Sequence, residues 1–198
     1  MEGMDTMEQT VHNEQEQKSA FTLGDIVYIG VFAATISVCA LISIQTPWGV
    51  PFTLHTFAVA LAAYSMGKWK GSMATLIWVL VGLVGVPVFS GFTAGFAKLA
   101  GPTGGYIWSF ILMTFLCGMH LNKHKKWLTI LWSIAGLVVC YICGMLQFML
   151  VMHMGFVEAF LMTIAPYIVK DVISLFAAYA LAIPIRKALR TAGYVIQE

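Results

Sequence analysis

The sequence predicts an all-α integral membrane protein of six transmembrane helices, with a long glycine-rich external loop between the third and fourth. Three observations carry this. Of the 198 residues, 60% are apolar and only 10% charged, where a soluble domain carries about 25% charged residues. The apolar residues gather in six runs, roughly 23–45, 51–67, 71–88, 103–121, 127–151 and 163–185, each near or somewhat below the ~20 residues a helix uses to cross a bilayer. Between the third and fourth runs lies Gly85 to Tyr106, GVPVFSGFTAGFAKLAGPTGGY, the one irregular stretch of any length in the apolar part. Its glycines, Pro87 and Pro102 oppose a continuous helix. Irregular backbone at membrane depth survives only where protein or a water-filled cavity satisfies it, so this loop is expected to fold over something and line it.

In chain order, residues 1–22 read as a polar tail without a basic, then apolar, secretory leader; 23–190 form the membrane domain, and 191–198 a second tail. The first run carries a small-residue face, Ala33, Ser37 and Ala40, with Gly30 and Ala34 on an adjacent stripe. Such faces allow close helix contact in lipid, here with another helix of the chain or with a separate membrane protein. The second and third runs are short, which predicts burial by neighbours. Lys68 and Lys70, then Lys123, Lys125 and Lys126, then Arg186, Lys187 and Arg190 fall at alternate ends of the six runs. The opposite loops, 46–50, 89–102 and 152–162, hold only Lys98 as a basic residue. Positive residues favour the cytoplasmic side, so both termini are expected there, in the cell membrane. Trp48, Trp69, Trp108 and Trp127 sit near run ends, as interfacial belts do. Cys39, Cys117, Cys140 and Cys143 lie in apolar runs and read as small hydrophobes.

With this orientation, the second, fourth and sixth helices begin on the outer side, near Thr53, Thr103 and Tyr167. Their positive dipole ends and unpaired N–H groups suit an anionic solute. Lys170 and Asp171 open the sixth run, where a charge costs about 2.5–3.5 kcal/mol and therefore calls for a partner. Adjacent positions diverge by about 100° around a helix, so the two are not expected to neutralise each other, whereas Asp171 and Ser174 share a face. Lys98 is a candidate for an anionic group. His55, a few residues into the second run, can both donate and accept. Glu158 and His153 read as solvated loop residues.

Several function classes are excluded on this reading. The near-neutral charge leaves no nucleic-acid footprint. No GxxxxGK[ST] motif is present, so ATP binding by a P-loop is not expected, and no HExxH, GxSxG or paired carboxylates suggest an intramembrane enzyme. Transport energy would come from an ion gradient or another subunit.

GVPVFSGFTAGFAKLAGPTGGY, preceded by VPFTLHTF and GKWKG and followed by APYIVKDVISLFAAYAL, resembles the BioY family, biotin-specific substrate-binding (S) components of energy-coupling-factor (ECF) transporters, from about Phe21 to Arg190. The resemblance implies six membrane helices whose outer loops close over one biotin, and no cofactor bound by the chain itself. It also implies partners: a membrane coupling (T) subunit and a pair of ATPases that use ATP. Contact with the coupling subunit would fall to Ala33, Ala34 and Ser37. In the family's PGDxxK pattern Asp171 matches the acid, Ser174 stands for the lysine and Lys170 for the glycine. Thr93 replaces an asparagine found in relatives, Ile107 an arginine, and His55 a glutamine. On this basis Asp171 would accept from the ureido N–H groups, with Thr93 or His55 completing that end. Tyr106 and Phe89 would pack on the ring and chain, and Lys98 or Lys170 would meet the carboxylate. Another vitamin, or a self-sufficient gradient-driven carrier, are the alternatives.

Overall fold

The computed structural model describes residues 23–47, 49–119, 121, 126–192 and 194. The N-terminal tail, Trp48, Lys123, Lys125 and residues 195–198 of the C-terminal tail lie outside the described residues. The chain runs α1 (Leu23–Leu41), β1 (Ser43–Ile44), β2 (Phe52–Thr53), α2 (His55–Met66), α3 (Lys68–Val84), α4 (Phe96–Ala100), α5 (Gly104–Cys117), α6 (Lys126–Met152), α7 (Phe156–Thr163) and α8 (Ile168–Thr191).

Each of the six apolar runs contains one of the longer helices, but the ends move for local reasons. The first helix stops at Leu41, because the chain turns into an antiparallel hairpin that pairs Ser43 with Thr53 and Ile44 with Phe52. The second helix begins only at His55 for the same reason. α2 and α3 are joined by Gly67 alone, at φ +84° and ψ 177°, a conformation that penalises any side chain. The expected glycine-rich loop is irregular from 85 to 95 and then forms the short α4 before α5. The outer loop expected at 152–162 instead holds most of α7, which ends at Thr163, and the sixth-run helix α8 starts only at Ile168, after Pro166, which lacks the N–H an ongoing helix would use. α8 then continues to Thr191, past the expected end at 185.

Among the described residues, three helical stretches are long and apolar enough to cross a membrane: Leu23–Leu41, Trp127–Met152 and Ile168–Thr191; Gly104–Cys117 is a shorter apolar helix. Their outward residues, among them Val27, Val31, Ile142, Leu146 and Ile173, are exposed and apolar, the surface expected against lipid tails. Trp69, Trp108 and Trp127 are also outward-facing.

α2 is the centre of the packing. Apart from Phe57, every residue from His55 to Met66 is buried, and the helix touches α1, α3, α5 and α8. Its alanines at 58, 60, 62 and 63 let neighbours approach on all sides. Hydroxyl pairs tie the layers together, Thr75 with Thr114 at 2.9 Å and Tyr64 donating to Ser133 at 2.6 Å. At the other end from the hairpin, Lys70 is buried rather than flanking, and its Nζ sits 2.6 Å from Asp25 Oδ1. The same ammonium lies 4.4 Å from the centre of the Tyr194 ring.

Candidate ligand-binding cavity

The starts of α2, α5 and α8 converge with the hairpin on one cavity, and Thr53, Thr103 and Tyr167 all line it. About 630 Å³ of empty space lies within it, a figure that includes open solvent at its mouth. Phe89, Ile107, Phe110 and Leu137 give it apolar walls. Trp78 backs them: its indole N–H donates to the Val88 carbonyl at 3.1 Å, and its ring meets Phe89 edge-on at 5.2 Å. Phe89 reaches this place because Gly82 has no side chain; a Cβ there would lie 2.1 Å from the Phe89 ring.

The polar side of the cavity is a connected chain. Asp171, 4% exposed, accepts the Tyr141 hydroxyl on Oδ2 at 2.7 Å and pairs through Oδ1 with Lys170 Nζ at 2.6 Å. The expectation that neighbouring charges could not meet is therefore corrected. The Lys170 stem is long and turns back toward the hairpin, where Nζ also donates to the Thr53 carbonyl at 2.8 Å and lies over the Phe52 ring at 5.0 Å. Thr53 continues the chain, its hydroxyl standing 2.9 Å from His55 Nδ1. The His55 ring, 6% exposed, stacks on Phe110 at 5.3 Å, and its Nε2 has no hydrogen-bond partner among the described residues. Tyr167 donates its hydroxyl to the Val50 carbonyl, fastening the hairpin a second time.

Of the residues expected from sequence, Asp171, Lys170, Tyr106, His55 and Phe89 come together on this wall. Three do not. Thr93 spends its hydroxyl on the Ser90 carbonyl at 3.0 Å, and its own carbonyl accepts the Phe89 N–H at 3.1 Å, closing the turn that carries Phe89. Ser174, buried one turn beyond Asp171, lines a separate outer groove with Phe52, Phe57 and Ile173, since an offset of three residues leaves it about 60° around the helix from Asp171. Lys98 on α4 is half-buried and outside the lining, yet its charge reaches His55. Burial holds its ammonium pKa below the usual lysine value. Sequence reasoning missed Tyr141, Thr163 and the double role of Thr53. A tyrosine in the middle of an apolar run was the available signal for Tyr141, because a buried phenol seeks a partner.

The small-residue face of α1 also divides. Ala33 is 7% exposed and, with Ile29, Phe32, Ile36 and Ala40, forms the inward side of the helix. It is not available for an outside partner, which corrects its assignment to the docking face. Gly30 and Ala34, four residues apart, are exposed, and Ser37 is intermediate, with its hydroxyl turned onto the Ala33 carbonyl at 2.9 Å.

Helices long and apolar enough to span a bilayer, beside a cavity with an ion pair on an otherwise apolar wall, are the features of a membrane protein with a small-molecule-sized pocket. The chain belongs to the BioY family, whose family model matches residues 12–191. It is 38% identical over 164 residues to the biotin transporter BioY of Thermotoga maritima, covering 82% of this chain and 95% of that one. With the probable biotin transporter BioY of Pyrococcus horikoshii it shares 37% over 158 residues, 80% of this chain and 93% of the relative. These relatives are named for transport, not catalysis. Its fold is similar to the crystal structure of the S-component for biotin from an ECF-type ABC transporter, with a TM-score of 0.73 at 19% identity, over 86% of this chain and 95% of that one.

Proposed function

We propose that this chain is the biotin-binding component of an ECF-type uptake transporter, with six membrane crossings and both termini in the cytoplasm. The observation that carries this reading is the Tyr141–Asp171–Lys170–Thr53–His55 chain on the wall of an otherwise apolar cavity. A carboxylate is an acceptor only, and each oxygen keeps a second lone pair. Asp171 is thus suited to the N–H groups of a ureido ring, while Lys170 offsets its charge and Tyr141 fixes its rotamer. His55 Nε2 offers a further hydrogen bond, and Phe89, Phe110 and Ile107 take the thiophane body and chain.

Charge decides between the two lysines. Lys170 and Asp171 sum to zero, and the Lys170 ammonium already donates to the Thr53 carbonyl. Among the described residues no carboxylate pairs with Lys98, so we assign it the valerate carboxylate, reached by rotation of its flexible stem. Gly30 and Ala34 on the outer face of α1 are the contact for a membrane coupling subunit, whose ATPases would supply the energy. Titration of the purified chain with biotin, against thiamine and riboflavin as controls, tests the reading. Heat exchange with biotin alone is expected; none with biotin would refute it.

A further inference from the structure

Thr163 stands at the end of α7, where it closes one side of the cavity. It lines the cavity and is 1% exposed, and its hydroxyl has no hydrogen-bond partner among the described residues. Three other buried hydroxyls turn back on the carbonyl four residues earlier: Thr75 onto Gly71, Thr114 onto Phe110, Ser133 onto Thr129. That local bond satisfies a hydroxyl that packing would otherwise strand. Thr163 has the carbonyl of Ala159 in the same register and does not use it. Ser65 and Ser72 are also unpartnered, but neither borders the cavity.

The backbone that carries Thr163 is held in place. Its carbonyl accepts the Tyr106 hydroxyl at 3.4 Å, and Tyr106 is seated over Gly144, where a Cβ would fall 2.3 Å from the ring. Tyr106 in turn lies within electrostatic reach of Asp171. Thr163 and Asp171 thus line the same cavity. The two are chemically complementary: Asp171 can only accept, whereas a threonine hydroxyl can donate. A cyclic urea presents both kinds of group, N–H donors and a carbonyl acceptor, and a carboxylate alone leaves that carbonyl unanswered.

We propose that Thr163 is a specificity-determining residue whose hydroxyl donates to the carbonyl of a urea-like ring while Asp171 accepts from its N–H groups. This rests on the reading of the cavity as a biotin site and adds the residue that recognises the ureido oxygen. A hydroxyl with no partner in the protein destabilises the unliganded fold and contributes once the ligand arrives, since a buried group costs most when unpaired.

The experiment is a binding cycle on the purified full chain. Thr163→Val removes the hydroxyl at nearly constant volume, and Thr163→Ser retains it. Each is titrated with biotin and with the analogue whose ureido oxygen is replaced by sulfur, a poorer acceptor. Thr163→Val is expected to weaken biotin by about ten-fold or more, to weaken the sulfur analogue less, and to leave the melting temperature without ligand unchanged or higher. Thr163→Ser should stay close to wild type. Equal losses for both ligands, or biotin binding by Thr163→Val that matches wild type, would overturn the proposal. Should the valine variant fail to fold, Thr163→Ala is read by the same ligand ratio. A wild-type chain that binds no biotin would instead defeat the functional reading itself, which keeps the two failures apart.

Discussion

Asp171→Asn separates the charge of the carboxylate from its shape. The amide can still accept from Lys170 and can turn its NH₂ toward the Tyr141 oxygen, so the fold is preserved while Lys170 loses its counter-charge. Breaking a buried pair costs about 3–5 kcal/mol. Here the Lys170 side chain is 15% exposed and keeps the Thr53 carbonyl at 2.8 Å, which places the loss near the lower end, about 3 kcal/mol. For binding, the change removes a charged hydrogen-bond acceptor worth about 1.5–3 kcal/mol, or roughly ten- to 150-fold in Kd. Lys170→Met exposes the opposite defect, and the double variant contains neither stranded charge. Its melting loss should therefore be smaller than the sum of the two single losses, by about 1–3 kcal/mol. Thermal melts in detergent report the stability term, and calorimetric titration with biotin the binding term. Single-variant losses that simply add, or an Asp171→Asn Kd equal to wild type, would refute the argument.

Three further outcomes follow from the geometry. Lys98→Gln should weaken biotin about ten-fold while leaving the neutral biotin amide almost unaffected, because a charge-assisted hydrogen bond is lost only with the acid; equal effects on both ligands in a titration would remove Lys98 from the carboxylate. Ala34→Trp should abolish co-purification with a coupling subunit at unchanged biotin affinity, and a complex that survives the bulky residue would show that this face is lipid-covered. Asp25→Asn should lower the melting temperature by removing the counter-charge that Lys70 meets at 2.6 Å, a loss of up to about 3–5 kcal/mol, with partial recovery on adding Lys70→Met; a melt that does not move would mean the pair contributes no stability.

Much of this architecture was legible in the sequence because it follows from local rules. Six apolar runs located the longer helices, and Gly67, Gly85 and Pro166 mark where the backbone could not continue. The hairpin escaped because β1 and β2 are two residues each, too short for an alternating pattern, and they sit inside runs that are apolar for another reason. At the site, Asp171 was visible as a charge out of place. Its partners were not: Tyr141 lies 30 residues away and Thr53 meets Lys170 across 117, separations set by packing alone. The mistake over the Lys170–Asp171 pair came from treating the lysine as a rigid spoke on a helical wheel; four methylenes and an acceptor on the neighbouring hairpin redirect its head. Likewise, the stripe on α1 was correctly recognised as small, but only packing shows that Ala33 faces in and Ala34 out.

Thr53 has a consequence for how this protein is dissected experimentally. It serves His55 through its hydroxyl and Lys170 through its main-chain oxygen, and only the first can be deleted by changing the side chain. An alanine scan is thus blind to half of what this position does. Only a backbone edit, an ester in place of an amide, would weaken that oxygen as an acceptor and bring the hidden half into view.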